Sequence, residues 1–398
     1  MKVLVLNCGS SSLKYQLFDM TDEKVLAKGL VDRIAIEGST IKHTKAGQAP
    51  VTTTTDIPNH KVAIRLVTEH LLDPSHGALE SLNELSAVGH RVVHGGEKFA
   101  KSVLIDQEVL EVIEDCVPLA PLHNPANLMG IRAVIDVLPD VPQVAVFDTA
   151  FHQSMPAKAY TYGLPYHYYE QNRLRRYGFH GTSHYYVAHR TAELLDKSIA
   201  GLKIVTCHMG NGSSITAVDG GKSVDTSLGF STVPGILMGT RAGDLDPVML
   251  LHLMEQEGIT PKAMSHILHK ESGLLGISGI SSDLRDIEEA ASTGNERATL
   301  ALEMLCYGVR KYIAAYAAAM GGIDAVVFTA GIGENSTLVR QMVCEGLEFL
   351  GAKLDVEKNN VRGKETVVRT DDSRAKILVV PTNEELVIAR DTKTLVKA

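Results

Sequence analysis

Two segments of this chain join apolar strands through turns of small and polar residues, an arrangement that suits an anionic ligand. The first, over residues 2–19, has the turn Asn7-Cys8-Gly9-Ser10-Ser11-Ser12, followed by Lys14. The second, over residues 204–219, has the same order of elements, and its turn contains His208, Met209, Gly210, Asn211 and Gly212. Such turns leave backbone N–H groups free to meet phosphate oxygens. The pair predicts two related phosphate-binding hairpins.

A third glycine-rich stretch follows the apolar run at 325–329 and contains Gly331, Ile332, Gly333, Glu334 and Asn335. Either hairpin turn alone is typical of an ordinary surface turn with no ligand. Two hairpins in matching contexts, together with this stretch, favour a nucleotide site. The chain has no G-x-x-x-x-G-K-[ST] motif, which excludes a Walker-type NTPase.

Two arginines lie in glycine-lined, apolar surroundings. Arg91 lies within 89–96, at the end of an apolar strand, and Arg241 lies within 237–244. A guanidinium is expensive to bury without an anionic partner, so each arginine either pairs with an internal carboxylate or binds an anionic substrate. Two such arginines suit a substrate that carries a carboxylate and a phosphate.

Three acidic residues have positions suited to Mg²⁺, either directly or through water. Asp148 ends the buried strand at 144–147, Glu384 begins the last helix, and Asp283 lies in Ser281-Ser282-Asp283-Leu284-Arg285. An N-cap role for Asp283 and a helix-dipole role for Glu384 explain these positions equally well from spacing alone.

Two histidine pairs, His90 with His94 and His180 with His184, have the i, i+4 spacing of zinc ligands. Neither pair carries the glutamate of an HExxH motif and no cysteine pair accompanies them, so zinc is the weaker interpretation. His180 is better interpreted as a donor near a reacting centre. A structural role suits His184.

Composition limits the function further. The chain has 398 residues and a net charge of −8, without a block of lysine or arginine, which argues against a nucleic-acid surface. Its five cysteines show no CxxC pairing, as expected of buried reduced thiols in a cytoplasmic protein. The longest uncharged stretch, 226–240, is broken by Gly, Ser and Pro and does not resemble a membrane span.

The pattern of elements predicts an α/β fold in two parts. Strands are expected over 24–34, 40–54, 86–93 and 144–147, and helices over 61–72, 109–117 and 127–138. A Tyr- and Pro-rich stretch up to residue 178 marks the domain boundary. Beyond it we expect helices over 184–195, 247–257, 261–269 and 296–320, strands at 325–329 and 377–380, and a last helix opened by a Thr382–Glu385 capping box.

Several motifs now resemble one family along the whole chain. They are Asn7-Cys8-Gly9-Ser10-Ser11-Ser12-Leu13-Lys14, Gly89-His90-Arg91-Val92-Val93-His94-Gly95-Gly96, Leu119-Ala120-Pro121-Leu122-His123-Asn124-Pro125, Arg176-Tyr177-Gly178-Phe179-His180-Gly181-Thr182-Ser183-His184, Met238-Gly239-Thr240-Arg241 and Pro381-Thr382-Asn383-Glu384-Glu385. The sequence resembles the acetate kinase family, within the acetate/propionate/butyrate kinase group of the actin–hexokinase–Hsp70 superfamily.

The resemblance implies a fold and an activity. It implies two duplicated actin/ribonuclease-H-like domains, 1–150 plus 384–398 and 151–383, each a mixed five-stranded sheet flanked by helices, with a nucleotide cleft between them. The implied reaction is ATP + acetate ⇌ ADP + acetyl phosphate, with Mg²⁺, or Mn²⁺ in its place, in a cytoplasmic homodimer. The alternative is a propionate kinase or another short-chain carboxylate kinase. A sugar kinase, and a chaperone or filament protein of the same superfamily, are weaker alternatives.

The resemblance also implies roles for individual residues. Asp148, His180, Arg241 and Arg91 would be catalytic, and Asn7 and Glu384 would hold Mg²⁺. Arg91 would contact the substrate carboxylate, and Val93, Leu122 and Phe179 its methyl group. The nucleotide would contact Lys14, Ser10, Ser12, the stretch from His208 to Gly212, Asp283, Leu284, Arg285, and the stretch from Gly331 to Asn335. Residues 230–235 depart from the family's Thr-Pro-Leu-Glu-Gly sequence, which leaves the preferred chain length of the acid open.

Overall fold

The structure is a computed structural model that describes residues 1–397. The chain divides into two compact units. Unit 1 consists of Met1–Phe151 and the C-terminal segment that begins at Asn383, and unit 2 consists of His152–Thr382. Among residues 1–397, none of the helices has both the length and the apolar character needed to cross a bilayer.

Strands outnumber helices before residue 150, and helices outnumber strands in unit 2. The elements before residue 150 are β1 Lys2–Cys8, β2 Ser12–Asp19, β3 Lys24–Asp32, β4 Thr40–Lys45, β5 Val51–Thr54, α1 His60–Leu72, β6 Leu85–Val92, β7 Val103–Leu104, α2 Gln107–Asp115, α3 Asn124–Val137 and β8 Gln143–Phe147. Those of unit 2 are α4 Ala157–Tyr160, α5 His167–Asn172, α6 Gly181–Leu194, β9 Lys203–Met209, β10 Ser213–Asp219, β11 Lys222–Thr226, α7 Pro247–Glu257, α8 Pro261–His266, α9 Gly273–Ser278, α10 Leu284–Ser292, α11 Glu296–Met320, β12 Ala325–Thr329, α12 Ala330–Asn335, α13 Thr337–Cys344, β13 Thr366–Val367 and β14 Lys376–Val379. The last helix, α14 Glu384–Lys397, belongs to unit 1.

The two sheets share a five-stranded core. Its strand order is β3-β2-β1-β6-β8 in unit 1 and β11-β10-β9-β12-β14 in unit 2. In both cores the first three strands are antiparallel and the last three are parallel. The predicted α/β class, with duplicated mixed sheets, is confirmed. The predicted number of five strands is wrong for the complete sheets, because edge strands extend them to eight and six.

Helices cover both faces of the sheet in unit 1. One face packs against α1 and α3 around buried side chains such as Leu6, Ile64 and Val134. The other face is partly covered by α14, which packs on β1, β6 and β8. Gly89 permits this contact, because a Cβ there would lie 2.4 Å from Thr392 Oγ1 and 2.6 Å from Ile388 Cγ2. In unit 2 the long helix α11 contributes much of the core.

Two local predictions are wrong. The expected strand over 40–54 is the hairpin β4–β5, because Gly47 turns the chain at a φ of +77°. The Thr382–Glu385 capping box does not form: Asn383 Oδ1 accepts the Leu386 N–H instead, and Thr382 Oγ1 lies 2.8 Å from Ser183 Oγ. For the glycine-rich stretch that follows β12 the sequence predicts no secondary structure, and the structure shows it as the helix α12.

Candidate functional site

The first hairpin turn in unit 1 is held by hydrogen bonds at its base. The Gly9 N–H donates to Ser12 O at 2.8 Å, and His60 Nε2 donates to Gly9 O at 2.8 Å. Ser10 and Lys14 are exposed at the turn and just beyond it, and Ser12 is partly exposed. Lys14 lies opposite Asn7 in the β1–β2 register. The structure therefore gathers four predicted site residues at one end of the sheet.

Arg91 and Asp148 form the charged centre of unit 1. Arg91 Nε donates to Asp148 Oδ1 at 3.0 Å and Nη2 donates to Oδ2 at 2.5 Å, a bidentate pair in which Asp148 is almost fully buried. Glu384 lies 4.0 Å from Arg91 Nε. The parallel strands β6 and β8 end side by side, which brings Arg91 and Asp148 together. For Arg91, pairing with an internal carboxylate is thus the observed arrangement.

The two carboxylates outnumber the single guanidinium beside them. Burial, together with the negative charges of Asp148 and Glu385, raises the pKa of Glu384 to about 7 against the opposing effect of Arg91. Although burial disfavours the cation, Asp148 and Glu384 raise the pKa of Arg91. A buried excess of negative charge fits a further cation.

Asn7 Oδ1 accepts from Arg91 Nη1 at 3.4 Å, so an amide oxygen lies beside these carboxylates. Mg²⁺ prefers oxygen ligands of this kind and usually keeps several waters and substrate phosphates. Among residues 1–397 there is no group of three or more His, Cys, Asp or Glu side chains that could hold a metal. Direct protein ligands to Mg²⁺ would therefore be few, and Asn7 and Glu384 remain the predicted ones.

Two asparagines of α3 hold the backbone around this centre in place. The sequence predicts no role for either residue. Asn127 Nδ2 donates to Cys8 O at 2.9 Å while its Oδ1 accepts the Val93 N–H at 3.0 Å, which joins the ends of β1 and β6. Asn124 bonds both the N–H and the C=O of His94. An amide that is buried at the start of a helix can satisfy two strand ends at once, but sequence spacing does not show which ends.

In unit 2, His180 is placed by an unusual backbone and a polar network. Its φ of +55° is left-handed, a conformation that costs a non-glycine residue about 1 kcal/mol or more. Its Nδ1 lies 2.9 Å from Ser214 Oγ, and its ring stacks on His208 at 4.2 Å between centroids. His208 Nδ1 in turn lies 2.8 Å from Ser183 Oγ. Backbone strain of this kind is characteristic of functional sites.

His184 lies beneath this network as a structural group. Its two ring nitrogens are each 2.7 Å from a hydroxyl, of Thr206 and of Ser214. Burial and the neighbouring histidines lower its pKa well below the usual value. His90 in unit 1 is similar, since its Nε2 lies 2.7 Å from Gln143 Oε1 and burial lowers its pKa to about 4. Burial thus favours the neutral form of both histidines, and their hydrogen-bonded partners fix the positions of the rings.

Arg241 differs from Arg91 because it has no carboxylate partner among the described residues. Its Nη1 donates only to Thr232 O at 3.3 Å and to Met238 Sδ at 3.9 Å. The side chain is partly buried, and burial lowers its pKa. The alternative of an internal ion pair is therefore wrong for Arg241. A cation that is desolvated without a counter-ion favours an anionic ligand.

The second glycine-rich turn lies against Arg241 and His180. A Cβ at Gly212 would be 3.1 Å from Arg241 Nη1 and 3.7 Å from His180 Cε1. A Cβ at Gly239 would be 1.8 Å from Asn211 Oδ1. Only glycine lets these segments approach so closely, so the structure brings His180, Arg241 and the turn from His208 to Gly212 together.

The other predicted nucleotide stretches have internal bonds of their own. Glu334 Oε1 accepts the N–H groups of Ala330 at 2.8 Å and of Thr382 at 3.1 Å, and Asn335 Nδ2 donates to Gly331 O. The fully buried Arg340, which has no predicted role, donates to Gly333 O at 2.9 Å and so supports α12 from below.

Asp283 has the N-cap role that spacing left open. It caps α10 by accepting the Arg285 N–H at 2.9 Å, and its carboxylate pairs with the Arg285 guanidinium at 3.0 and 2.6 Å. Its side chain is 39% exposed and that of Arg285 is 87% exposed, whereas Leu284 is buried. A nucleotide contact for this stretch stays a prediction.

The residues predicted to contact the substrate methyl group differ in exposure. Val93 in unit 1 and Phe179 in unit 2 are buried, whereas Leu122 in unit 1 is 63% exposed. Their shared pocket stays a prediction. The segment over 230–235 carries Thr232, whose carbonyl contacts Arg241, so the departure from the family sequence lies beside a predicted catalytic residue.

Comparison with known proteins extends along the chain. The acetate kinase of Caldanaerobacter subterraneus is 60% identical over 100% of this chain and 99% of its own, and that of Alkaliphilus metalliredigens is 59% identical over 100% of both. The crystal structure of Porphyromonas gingivalis acetate kinase matches with a TM-score of 0.96 at 50% identity, covering 99% of both chains. A propionate kinase from Francisella tularensis matches with a TM-score of 0.92 at 40% identity, covering 99% of both chains.

The family profile gives the same result as these relatives. The profile described as the Acetokinase family matches residues 2–390, which is nearly the whole sequence. The resemblance predicted from the motifs is therefore confirmed, and this chain belongs to the acetokinase family.

Proposed function

We propose that this protein is an acetate kinase that reversibly transfers the γ-phosphoryl group of ATP to acetate, giving acetyl phosphate and ADP. The observation that carries the proposal is Arg241, a partly buried guanidinium without a counter-ion, beside His180 and a glycine-rich turn. Phosphoryl transfer demands positioned positive charge more than covalent chemistry, and this arrangement supplies it.

Acetate is favoured over propionate as the substrate. Relatives that are 58–60% identical over the whole chain are named acetate kinases, whereas the named propionate kinase is 40% identical. The carboxylate nucleophile is ionised at neutral pH, so the reaction needs no general base. A sugar kinase, in contrast, must remove a hydroxyl proton.

This difference determines the role we assign to Asp148. Its carboxylate is occupied by two hydrogen bonds from Arg91, so it orients the guanidinium and holds its charge. Arg91 then presents a fixed cation to the substrate carboxylate. Asp148 is therefore a positioning residue that acts through Arg91, rather than a proton acceptor.

The other predicted residues share the task of neutralising charge. In unit 2, Arg241 and His180 stabilise the transferring phosphoryl group, and in unit 1 Lys14 contacts ATP. Each such contact is worth roughly 3 kcal/mol in the transition state. Asn7 and Glu384 would hold Mg²⁺, which when bound neutralises phosphate charge and orients the phosphate oxygens. The direct transfer is in line, with no phosphorylated protein residue.

We also propose a cytoplasmic homodimer. Two helices of unit 2 leave apolar side chains exposed: α7 with Val248, Met249 and Leu251, and α11 with Leu300, Met304 and Tyr307. A cavity of about 400 Å³ opens beside Met304 and Tyr307. Apolar surface of this extent supports a second copy of the chain as its cover. The five cysteines are free and buried, as suits a reducing compartment.

Trapping acyl phosphate with hydroxylamine tests the function. The assay uses ATP and Mg²⁺ with acetate, propionate and butyrate in parallel, and glucose and glycerol as hydroxyl acceptors. We expect hydroxamate from acetate at the highest kcat/KM and no ATP consumption with the sugars. A higher kcat/KM with propionate would establish the alternative, and phosphorylation of glucose or glycerol alone would overturn both.

Sedimentation of wild type and of Val248→Lys/Leu251→Lys tests the dimer. Wild type is expected to sediment as a dimer and the variant as a monomer. Lys262→Glu, on α8 beside the apolar face, is the control that keeps the dimer. A monomeric wild type at micromolar concentration would overturn the proposed oligomeric state.

A further inference from the structure

Unit 1 has a cavity that extends beyond the charged centre of Arg91, Asp148 and Glu384. It encloses about 230 Å³, and its lining includes Asn7, Arg91 and Glu384 at one end. Three lysines from three neighbouring strands also line it: Lys14, which lies opposite Asn7 in the β1–β2 register, and Lys28 and Lys42 further along the sheet. We name these three residues the lysine shelf. Lys28 and Lys42 have no place in the proposed reaction.

The strand register explains why the three lysines share a face. Lys14 on β2 and Lys42 on β4 both lie opposite Leu30 of β3. Lys28 is two residues from Leu30 on the same strand and therefore points to the same side of the sheet. Strands are about 4.8 Å apart, so Lys14 and Lys42 originate about 10 Å apart, with Lys28 about 7 Å along the strand. Three long cationic side chains thus surround one apolar residue.

This part of the sheet is open to solvent, and all three lysines of the shelf are exposed. On the same face, α14 covers β1, β6 and β8 but leaves β2, β3 and β4 uncovered. Glu385 and Ile388 of α14 form the wall of the cavity. The strand that supplies Lys42 belongs to the β4–β5 hairpin, an addition beyond the five-stranded core that unit 2 does not repeat among its described residues.

The shelf lysines form no ion pair among the described residues. Other lysines of unit 1 do: Lys2 pairs with Glu84, Lys24 with Asp22, and Lys61 with Asp136. Two carboxylates, of Glu384 and Glu385, line the same cavity, but the three lysines outnumber them. An anion can neutralise this local excess of positive charge.

The size and charge of the cavity identify the class of anion. About 230 Å³ is below the 300–1,000 Å³ that is typical of drug-sized ligands. Nucleic acid requires many phosphate contacts along a surface rather than three within one cavity. Lysine ammonium groups bind phosphate as point charges. We infer that the lysine shelf binds a small phosphoanion, such as inorganic phosphate, at a position separate from that of the transferred phosphoryl group.

The test measures protection of individual amines, so it does not depend on the proposed function. The intact protein, without ATP or acetate, is labelled with a succinimidyl ester in the presence of inorganic phosphate or of chloride at equal ionic strength. Peptide mass spectrometry then gives the labelling rate of each lysine. We expect phosphate to slow the labelling of Lys28 and Lys42 severalfold but to leave Lys45 unchanged. Lys45 is the matched control, because it lies on β4 outside the cavity lining.

Calorimetric titration with phosphate gives a second measurement. Lys28→Gln/Lys42→Gln is expected to weaken phosphate binding about tenfold, because two of three cations are lost. Lys45→Gln should bind like wild type, and all three proteins should keep the wild-type kcat for acetate. Equal protection of Lys45 would indicate general ionic screening and overturn the inference. Protection of Lys14 alone would also overturn it, because phosphate would then occupy only the predicted ATP contact.

Discussion

Units 1 and 2 have the same strand order but treat their key arginine in opposite ways. Arg91 is held by the two oxygens of Asp148, with Glu384 nearby. Arg241 is held by a backbone carbonyl and a thioether. The first guanidinium is therefore paired and fixed in orientation, whereas the second has no carboxylate partner among the described residues. The same five-stranded core thus carries two predicted catalytic arginines in opposite electrostatic surroundings.

The same contrast applies to the hairpin turns. In unit 1, His60 and Asn127 brace the turn through backbone carbonyls. In unit 2, the turn lies beside a network of His180, Ser214 and His184. In unit 1 the turn is thus braced by residues without a predicted role, while unit 2 places a predicted catalytic histidine within the network. Substitutions in each unit can test this division.

Replacing Arg91 should have the largest effect, because it removes a buried partner. Arg91→Met leaves Asp148 and Glu384 without their cation, and breaking a buried pair costs about 3–5 kcal/mol. We expect loss of activity together with faster hydrogen exchange in unit 1 peptides, measured by mass spectrometry. Arg91→Lys, which keeps the charge, is the control and should restore part of the stability. An unchanged hydrogen-exchange rate in Arg91→Met would contradict the prediction that Arg91 stabilises unit 1.

Replacing Arg241 should separate activity from stability. Arg241→Ala is expected to lower kcat by about 10²–10³-fold while ATP binding and the hydrogen exchange of unit 2 stay close to wild type, because no carboxylate loses a partner. Steady-state kinetics and nucleotide titration measure the two effects. Near-normal turnover would remove Arg241 from the mechanism. A loss of stability as large as that of Arg91→Met would erase the contrast between the units.

Replacing Asp148 tests whether it acts through Arg91 or moves a proton. Asp148→Asn keeps one acceptor for the guanidinium but loses its charge, so we expect kcat to fall about 10- to 100-fold. Asp148 should contribute no limb to the pH–rate profile, since the acceptor is already ionised, and any limb near pH 7 that Glu384 produces should persist in the variant. Loss of an acidic or basic limb in the variant would instead assign proton transfer to Asp148.

Both units contain a buried neutral histidine. We therefore expect both units to lose stability in acid, by less than the substitutions above cause. The pKa values of His90 and His184 are lowered by burial, so the unfolded chain binds more protons than the folded one below about pH 6.5. As the pH falls below about 6.5, each histidine should therefore lower the free energy of unfolding by about 1.4 kcal/mol per pH unit. Above that pH the free energy of unfolding should not depend on these two histidines' titration. Peptide-resolved hydrogen exchange near pH 7 and pH 5 measures the loss in each unit.

The variants His90→Gln and His184→Gln supply the comparison for that experiment. The difference in free energy of unfolding between wild type and each variant should shrink as the pH falls. For His90 this applies to unit 1, and for His184 it applies to unit 2. Parallel pH curves for wild type and variant would show that the histidine does not titrate with folding.

Elements with strong local signals could be predicted from the sequence. The helices over 247–257 and 296–320 and the strand over 325–329 have the predicted bounds, because Pro or Asn marks the helix starts and glycine ends them. Both hairpins also formed as predicted. The site could be predicted in part, since glycine-lined arginines are rare and carry a clear physical cost.

Residues whose partners are distant in the chain could not be predicted. Arg340 is fully buried, and its acceptors come from Asn359, Val361 and Gly333, in separate segments. The capping box failed for a similar reason. Thr382 bonds Ser183 and Glu334 instead, and neither partner is visible in the local sequence. Local propensity competes with tertiary contacts, and at such positions the tertiary contacts prevail.

The return of α14 to unit 1 has a consequence for synthesis on the ribosome. Unit 2 is one continuous segment, whereas the sheet of unit 1 receives Glu384 and the cover over β1, β6 and β8 only after unit 2 has been translated. Domains generally fold as they emerge from the ribosome. Unit 2 can therefore fold while the sheet of unit 1 still lacks the helix α14 on one face. The Arg91–Glu384 contact can therefore form only after the whole of unit 2 has been translated.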